Sequence, residues 1–304
     1  MPTNINRPPE QRYNVRIKGF VLASNAYRES DRILTLLTKD HGLLTIHARH
    51  IKRKNNYLAN LVALYTFAEF ELSQDKGRYY LAGGTVLQDF SGLSSDPCRL
   101  YAIAHLAEVF RDLLRYDVPS QKAYELWGYA SWRLVTSPRP LTDVRIAQLR
   151  ALADHGFQPS LRQCALCQAI VDLPPNNTYL FSFLDGSVIC GQARCRTEMQ
   201  LRSDQRAWQS QSKDRCLLVP ACMWLEKNTL EILRHSCEAT YNQMFNYTLA
   251  PGGEQEFCRF TDYFLLLTME KSYNKLDQVD DYLQIEEMVQ NIAKSRKQQA
   301  DQEE

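Results

Sequence analysis

The sequence predicts an α+β protein in which a five-stranded β-barrel comes first, an α-helical domain follows, and a small cysteine-bearing insert interrupts the helices. Three observations predict it. Short β-branched and aromatic runs fill residues 15–90, the apolar period lengthens to three and four beyond residue 96, and two close cysteine pairs fall between 164 and 195.

The barrel is expected from five runs: Val15–Ala23, Ile33–Thr38, Leu43–Arg49, Val62–Leu72 and Tyr79–Ala82. The polar turns SNAYRES, KDHG, RHIKRKNN and SQDKG separate them. So many short strands in so little chain suit a closed sheet, because closure leaves no long unpaired edge. Gly42 and Gly77 fall where turns need a residue that tolerates positive φ.

The helices follow. Asp96 is a fitting N-cap with Pro97 at the first helical position, and Leu100, Ile103, Ala107, Phe110 and Leu114 recur at helical steps. Ser120 caps a second helix carrying Ala123, Trp127, Ala130 and Leu134, which SPRP at 137–140 ends. A third carries Ile146, Leu149 and Leu152, with Gly156 placed to stop it. Residues 200–275 read as helical in outline, with Phe257, Phe260, Phe264 and Leu267 on one strongly apolar helix. The expected division is a flexible N-terminus at 1–14, the barrel at 15–92, a first helical part at 93–160, the insert at 161–200, a second helical part at 201–278 and a charged tail at 279–304.

Composition excludes several classes. With 304 residues, 44% of them hydrophobic and 23% charged, the chain can bury a substantial core. No apolar run approaches the roughly 18 residues of a membrane helix. The leading MPTNINRPPEQRYN is polar and Pro-rich rather than secretory, so the expected location is the cytosol, without membrane attachment. No Gly-x4-Gly-Lys-Ser/Thr, Gly-x-Ser-x-Gly or His-Glu-x-x-His motif occurs. Glu108 and Asp112 share a helical face with Arg111 and Arg115 nearby, the pattern of a solvated surface. No catalytic residue is expected.

Charge is unevenly spread. Residues 1–60 hold eleven Lys/Arg and four Asp/Glu, a balance of +7, so the remainder carries −6 against a total of +1. A basic end on a more acidic body suggests a polyanion partner. The densest feature is His47-Ala-Arg-His-Ile-Lys-Arg-Lys54, where Arg49, Lys52, Arg53 and Lys54 can meet a phosphate backbone. Arg16, Lys18, Arg28, Arg32 and Lys39 extend the candidate surface. Tyr27 and Tyr57 are candidate platforms for unpaired bases. The competing reading of this run is an ordinary solvated loop, and of the tyrosines, packing at the barrel rim.

Cys164-Ala-Leu-Cys167 and Cys190-Gly-Gln-Ala-Arg-Cys195 lie 22 residues apart. In a cytosolic chain such pairs suggest metal before disulfide, and four thiolates suit one structural zinc ion. The alternative is a set of buried thiols. Cys98, Cys216, Cys222, Cys237 and Cys258 are scattered. A zinc deaminase is excluded: no histidine is followed two positions later by glutamate, and residue 163 is Gln.

The stretch GFVLASNAYRESDRILTLLTKDHGLLTIHARHIKRKNN resembles the N-terminal domain of the RecO family of bacterial DNA repair and recombination mediators. The carrying pieces are Gly19–Leu22, Tyr27–Ser30, Thr38–Gly42 and Arg49–Lys54, with GRYYLAGGTVLQDF similar to the family's last barrel strand. Many sequences of that family have two Cys-x2-Cys pairs; here the second is Cys-x4-Cys. The resemblance implies an OB fold, binding of single- and double-stranded DNA, and strand annealing. It also implies help in loading RecA onto strands coated by single-stranded DNA-binding protein, with RecR as partner and a nucleoid-associated location. Past residue 200 it rests on helical character and FTDYFLLLTMEKSYNKL alone. The reading kept beside it is a non-enzymatic, zinc-containing protein-interaction module whose basic loop is incidental.

Overall fold

In the computed structural model, residues 14–51, 58–172, 178–203, 208–209, 218–250 and 252–279 are described. Five strands, β1 (Asn14–Tyr27), β2 (Asp31–Thr38), β3 (Gly42–Ala48), β4 (Phe67–Asp75) and β5 (Arg78–Gln88), close into a barrel of order β1-β2-β3-β5-β4. All neighbours are antiparallel except β3 and β5, which run parallel through Ile46–Tyr79 and His47–Tyr80. This is the five-stranded OB architecture. Alternation explains the filling: Ile17, Val21, Leu34, Leu36, Leu44, Ile46, Phe70 and Leu72 point inward and form one buried cluster.

Several expected boundaries shift. β1 runs four residues beyond Ala23, to Tyr27, because most of the expected turn SNAYRES pairs with β2. Val62–Thr66 is not strand: Asn60–Val62 is a short 3-10 turn that buries Leu61 and Val62 against the barrel. The backbone there is spent on a crossing, since Tyr65 N–H donates to Val21 O at 2.8 Å and Val21 N–H to Thr66 O at 3.0 Å. β5 runs six residues beyond Ala82, to Gln88, because Gly83 and Gly84 keep pairing across an irregular register with β4.

Helices α1 (Pro97–Leu113), α2 (Gln121–Thr136) and α3 (Pro140–Asp154) follow the expected signals. Asp96 Oδ1 accepts the Cys98 and Arg99 N–H groups at 2.7 and 3.3 Å, and Ser120 Oγ accepts Ala123 N–H at 3.4 Å. Pro140 occupies the first turn of α3, and Gly156 follows that helix with φ +95°.

The chain divides into two compact units: residues 1–92 with 109–135, and residues 93–108 with 136–304. In the first, α2 lays Trp127 against Phe110 and Tyr65, with ring centroids 5.3 and 6.4 Å apart. Tyr124 closes on Phe20 and Phe67 at 5.3 and 6.3 Å. Gly42, in the β2–β3 turn at φ +59°, is backed by the Val118 carbonyl so closely that a Cβ would stand 1.9 Å from that oxygen.

In the second unit β6 (Thr178–Ser182) pairs with β7 (Ser187–Ile189), and α4 (Ala193–Ser203) follows. The short β8 (Trp208–Gln209) and β9 (Leu218–Val219) pair with each other. β10 (Cys222–Glu226) joins β6, giving a sheet of order β10-β6-β7. The expectation that residues 200–275 are helical in outline is therefore corrected in part: CMWLE is a strand, fixed by a partner forty or more residues upstream. Helices α5 (Lys227–Glu238) and α6 (Gly253–Met269) complete the unit against α3. Arg145 of α3 grips Asp262 of α6 through two bonds of 2.8 Å. Beside it, fully buried Gln148 donates to Thr261 O at 3.0 Å and accepts from His105 Nε2 at 2.6 Å. Among the described residues no helix is long and apolar enough to cross a membrane.

Candidate nucleic-acid interface and metal centre

The barrel face formed by the ends of β1 and β3 and the start of β5 gathers the candidate chemistry. Tyr27 closes β1, His47 stands near the end of β3, and Tyr80 near the start of β5. Their rings follow one another, with Tyr27 6.4 Å from His47 and His47 5.4 Å from Tyr80. Cations frame this row. The Arg28 guanidinium lies over Tyr27 at 5.3 Å and that of Arg49 over Tyr80 at 4.1 Å, while Arg78 is exposed at the head of β5.

Asp31 sets the local backbone. Its Oδ1 accepts the His50 N–H at 2.8 Å, tying the β1–β2 turn to the segment leaving β3. That N–H, more than any other group, holds the Asp31 carboxyl below the usual carboxylate range. His50 itself adopts a left-handed conformation at φ +57°. Burial, and then the positive charges of Arg78 and Arg49, push the His47 imidazole below its ordinary range, with Asp31 opposing.

The expected cations thus separate into groups. Arg28 and Arg49 meet at the aromatic row, and Arg32 lies at its margin, donating to Ser24 Oγ at 3.0 Å. Arg16 and Lys18 face β4 instead, opposite Glu71 and Glu69 in register, and Arg16 is bound to Glu71 at 2.6 Å. Lys39 is exposed in the turn at the far end of β2. Lys52, Arg53, Lys54 and Tyr57 lie outside the described residues. Sequence reasoning missed Tyr80 and Arg78, and named His47 only as the first residue of the basic run. Period-two alternation puts His47 and Arg49 on one face, but only the parallel β3–β5 register brings Tyr80 to them.

The second cluster is closed. Cys164, Cys167, Cys190 and Cys195 bring their sulfurs within 4.8 Å of one another. The Cys167–Cys190 separation is 3.6 Å, too long for a disulfide. It is near the edge of about 3.8 Å that a tetrahedron of zinc–sulfur bonds requires. Burial acts to raise the Cys164 thiol, but backbone N–H donors at Cys190, Cys167 and Leu166 bring it to about 7. Thiolate-directed N–H groups are what a metal knuckle supplies, so the donor set fits one zinc ion.

The family descriptions "Recombination protein O N terminal" and "Recombination protein O C terminal" match residues 12–90 and 94–207. The DNA repair protein RecO of Acetivibrio thermocellus is 22% identical over 86% of this chain and 95% of its own length. That of Anaeromyxobacter sp. (strain K) is 30% identical over 58% of this chain and 69% of its own. That of Bacillus subtilis (strain 168) is 26% identical, covering 58% and 67% respectively.

Proposed function

The chain belongs to the RecO family of DNA repair proteins, and from that premise we propose that it is a DNA-binding recombination mediator without bond chemistry of its own. It anneals complementary strands and helps load RecA onto single-stranded DNA coated by single-stranded DNA-binding protein. RecR is its partner, RecA is engaged indirectly, and the working location is the bacterial cytoplasm at the nucleoid.

The observation that supports this reading is the partly exposed row of rings framed by Arg28, Arg49 and Arg78 on an OB barrel. The strand-2 and strand-3 face and the loops beside it are where such barrels hold oligonucleotides. Cations there neutralise phosphates without reading sequence, and rings offer π-faces to any base. Arg32, Lys52, Arg53, Lys54 and Tyr57 are assigned to the same task. Arg16, Lys18 and Lys39 serve as outlying charges. Residues 15–92 carry the DNA, 161–200 the metal, and the helical parts at 93–160 and 201–278 the protein partners. Cys164, Cys167, Cys190 and Cys195 would hold zinc with no open coordination position, which makes the ion structural.

Annealing of complementary strands pre-coated with single-stranded DNA-binding protein tests the reading. The chain should accelerate it; no acceleration, together with DNA binding that ignores salt, would favour the interaction-module alternative.

A further inference from the structure

We propose that Tyr27, His47 and Tyr80 form a base-stacking track that gives the barrel a preference for unpaired over paired strands, an inference that rests on the DNA-binding reading above. The three side chains come from three strands that share no local sequence, yet they stand in one unbroken row. Tyr27 is 43% exposed, and His47 and Tyr80 are partly exposed.

Their geometry matters. Rings stacked face to face would bury the surfaces a base needs. Here the planes are inclined by 76° between Tyr27 and His47 and by 34° between His47 and Tyr80, so the rings do not seal one another. Burial and the charges of Arg78 and Arg49 disfavour the protonated form of the middle rung, which favours a flat aromatic surface over a third cation. Charge is instead carried by the guanidiniums over the terminal rings, Arg28 on Tyr27 and Arg49 on Tyr80. A strand whose bases lie on the rings would pass its phosphates beside those groups.

A duplex meets the same surface differently. Its bases are already stacked and paired, so only the cations gain from it. The rings therefore discriminate, and the arginines do not.

The test is fluorescence anisotropy on the full chain with a short mixed-sequence single strand, the matched duplex, and an abasic strand of equal length. For the unaltered protein, the base-bearing strand should bind at least about tenfold tighter than the abasic one, given the usual strength of base–aromatic stacking. The double variant His47→Leu/Tyr80→Leu should lose at least about tenfold on the single strand, keep its duplex affinity within about twofold, and keep its salt slope. Arg49→Ala should weaken both nucleic acids and flatten the slope. Equal affinity for abasic and base-bearing strands, or equal losses on single strand and duplex, would overturn the track while leaving DNA binding intact. If the unaltered chain bound none of the three, the DNA-binding reading itself would fall. The abasic comparison needs no substitution, so it stands even if the double variant folds poorly.

Discussion

At the barrel face the charged and aromatic side chains point outward and touch one another only loosely, whereas in the cysteine insert four sulfurs turn inward and meet within 4.8 Å. The Arg49 side chain rests on a ring at 4.1 Å at an exposed position; Cys164 and Cys195 are buried. The contrast teaches what each kind of cluster can do. Outward groups contribute little to folding and are free to bind. Inward thiols have no room for a substrate and contribute their chemistry to the fold itself.

The largest effect should come from the closed cluster. Purified protein is expected to carry about one equivalent of zinc, and stripping it should cost several kcal/mol, since structural zinc sites contribute on the order of 10 kcal/mol in small domains. Differential scanning calorimetry should show a lowered transition, while single-strand affinity measured below it stays put. A metal-free protein that melts unchanged would break the comparison on its inward side.

The outward side is tested by replacing Arg49, Lys52, Arg53 and Lys54 with alanine. The log–log dependence of single-strand affinity on salt should become shallower by up to about 2.8, at about 0.7 for each of the four phosphate contacts removed. Melting should barely move. Unchanged affinity would remove this segment from the interface.

A pair of histidines sharpens the contrast at intermediate scale. His105 is fully buried, and burial drives its pKa down to about 4 even though its bond to Gln148 opposes this. The folded state therefore refuses a proton that the unfolded chain accepts near the ordinary 6.5. Stability contributed by this group is complete above that value and falls as pH drops from about 6.5 to about 4, by about 3 kcal/mol at most. Urea midpoints followed across that window should fall in the parent protein and fall less in His105→Gln. His47, pushed the same way by partial burial, should add a smaller loss in the same direction.

The smallest effect concerns Asp31. Asp31→Ala removes the carboxylate that receives the His50 N–H, so that amide should exchange with solvent faster while the melting temperature hardly changes. Exchange as slow as in the parent would mean that the β3 exit is held by something other than this carboxylate.

Legibility in the sequence tracked the distance over which each feature is decided. Asp96, Pro97 and Ser120 act on their own next few residues, and the helices they start are where the pattern put them. The RecO-like string from Gly19 to Lys54 foretold the closed barrel, and the two cysteine pairs foretold a thiol cluster despite the wider second spacing. Failures came from partners far along the chain. The apolar run from Val62 to Thr66 looks like strand until Val21 takes its backbone bonds. Met223, Trp224 and Leu225 look helical until β6 pairs with them. Tyr80 is anonymous until a parallel register sets it beside His47. Likewise Arg16 looks like one more DNA-facing cation until β4 presents Glu71.

The rings that α2 lays on the barrel carry a practical warning about dissecting this chain. Tyr124 covers Phe20 and Phe67, Trp127 covers Tyr65, and the Val118 carbonyl caps the bend at Gly42. A fragment cut at Gly92 would send those surfaces into water together, so it would be expected to clump or melt for reasons unrelated to DNA. The smallest piece worth expressing alone retains residues through Val135, and evolution faces the same arithmetic if it tries to lend this barrel to another gene.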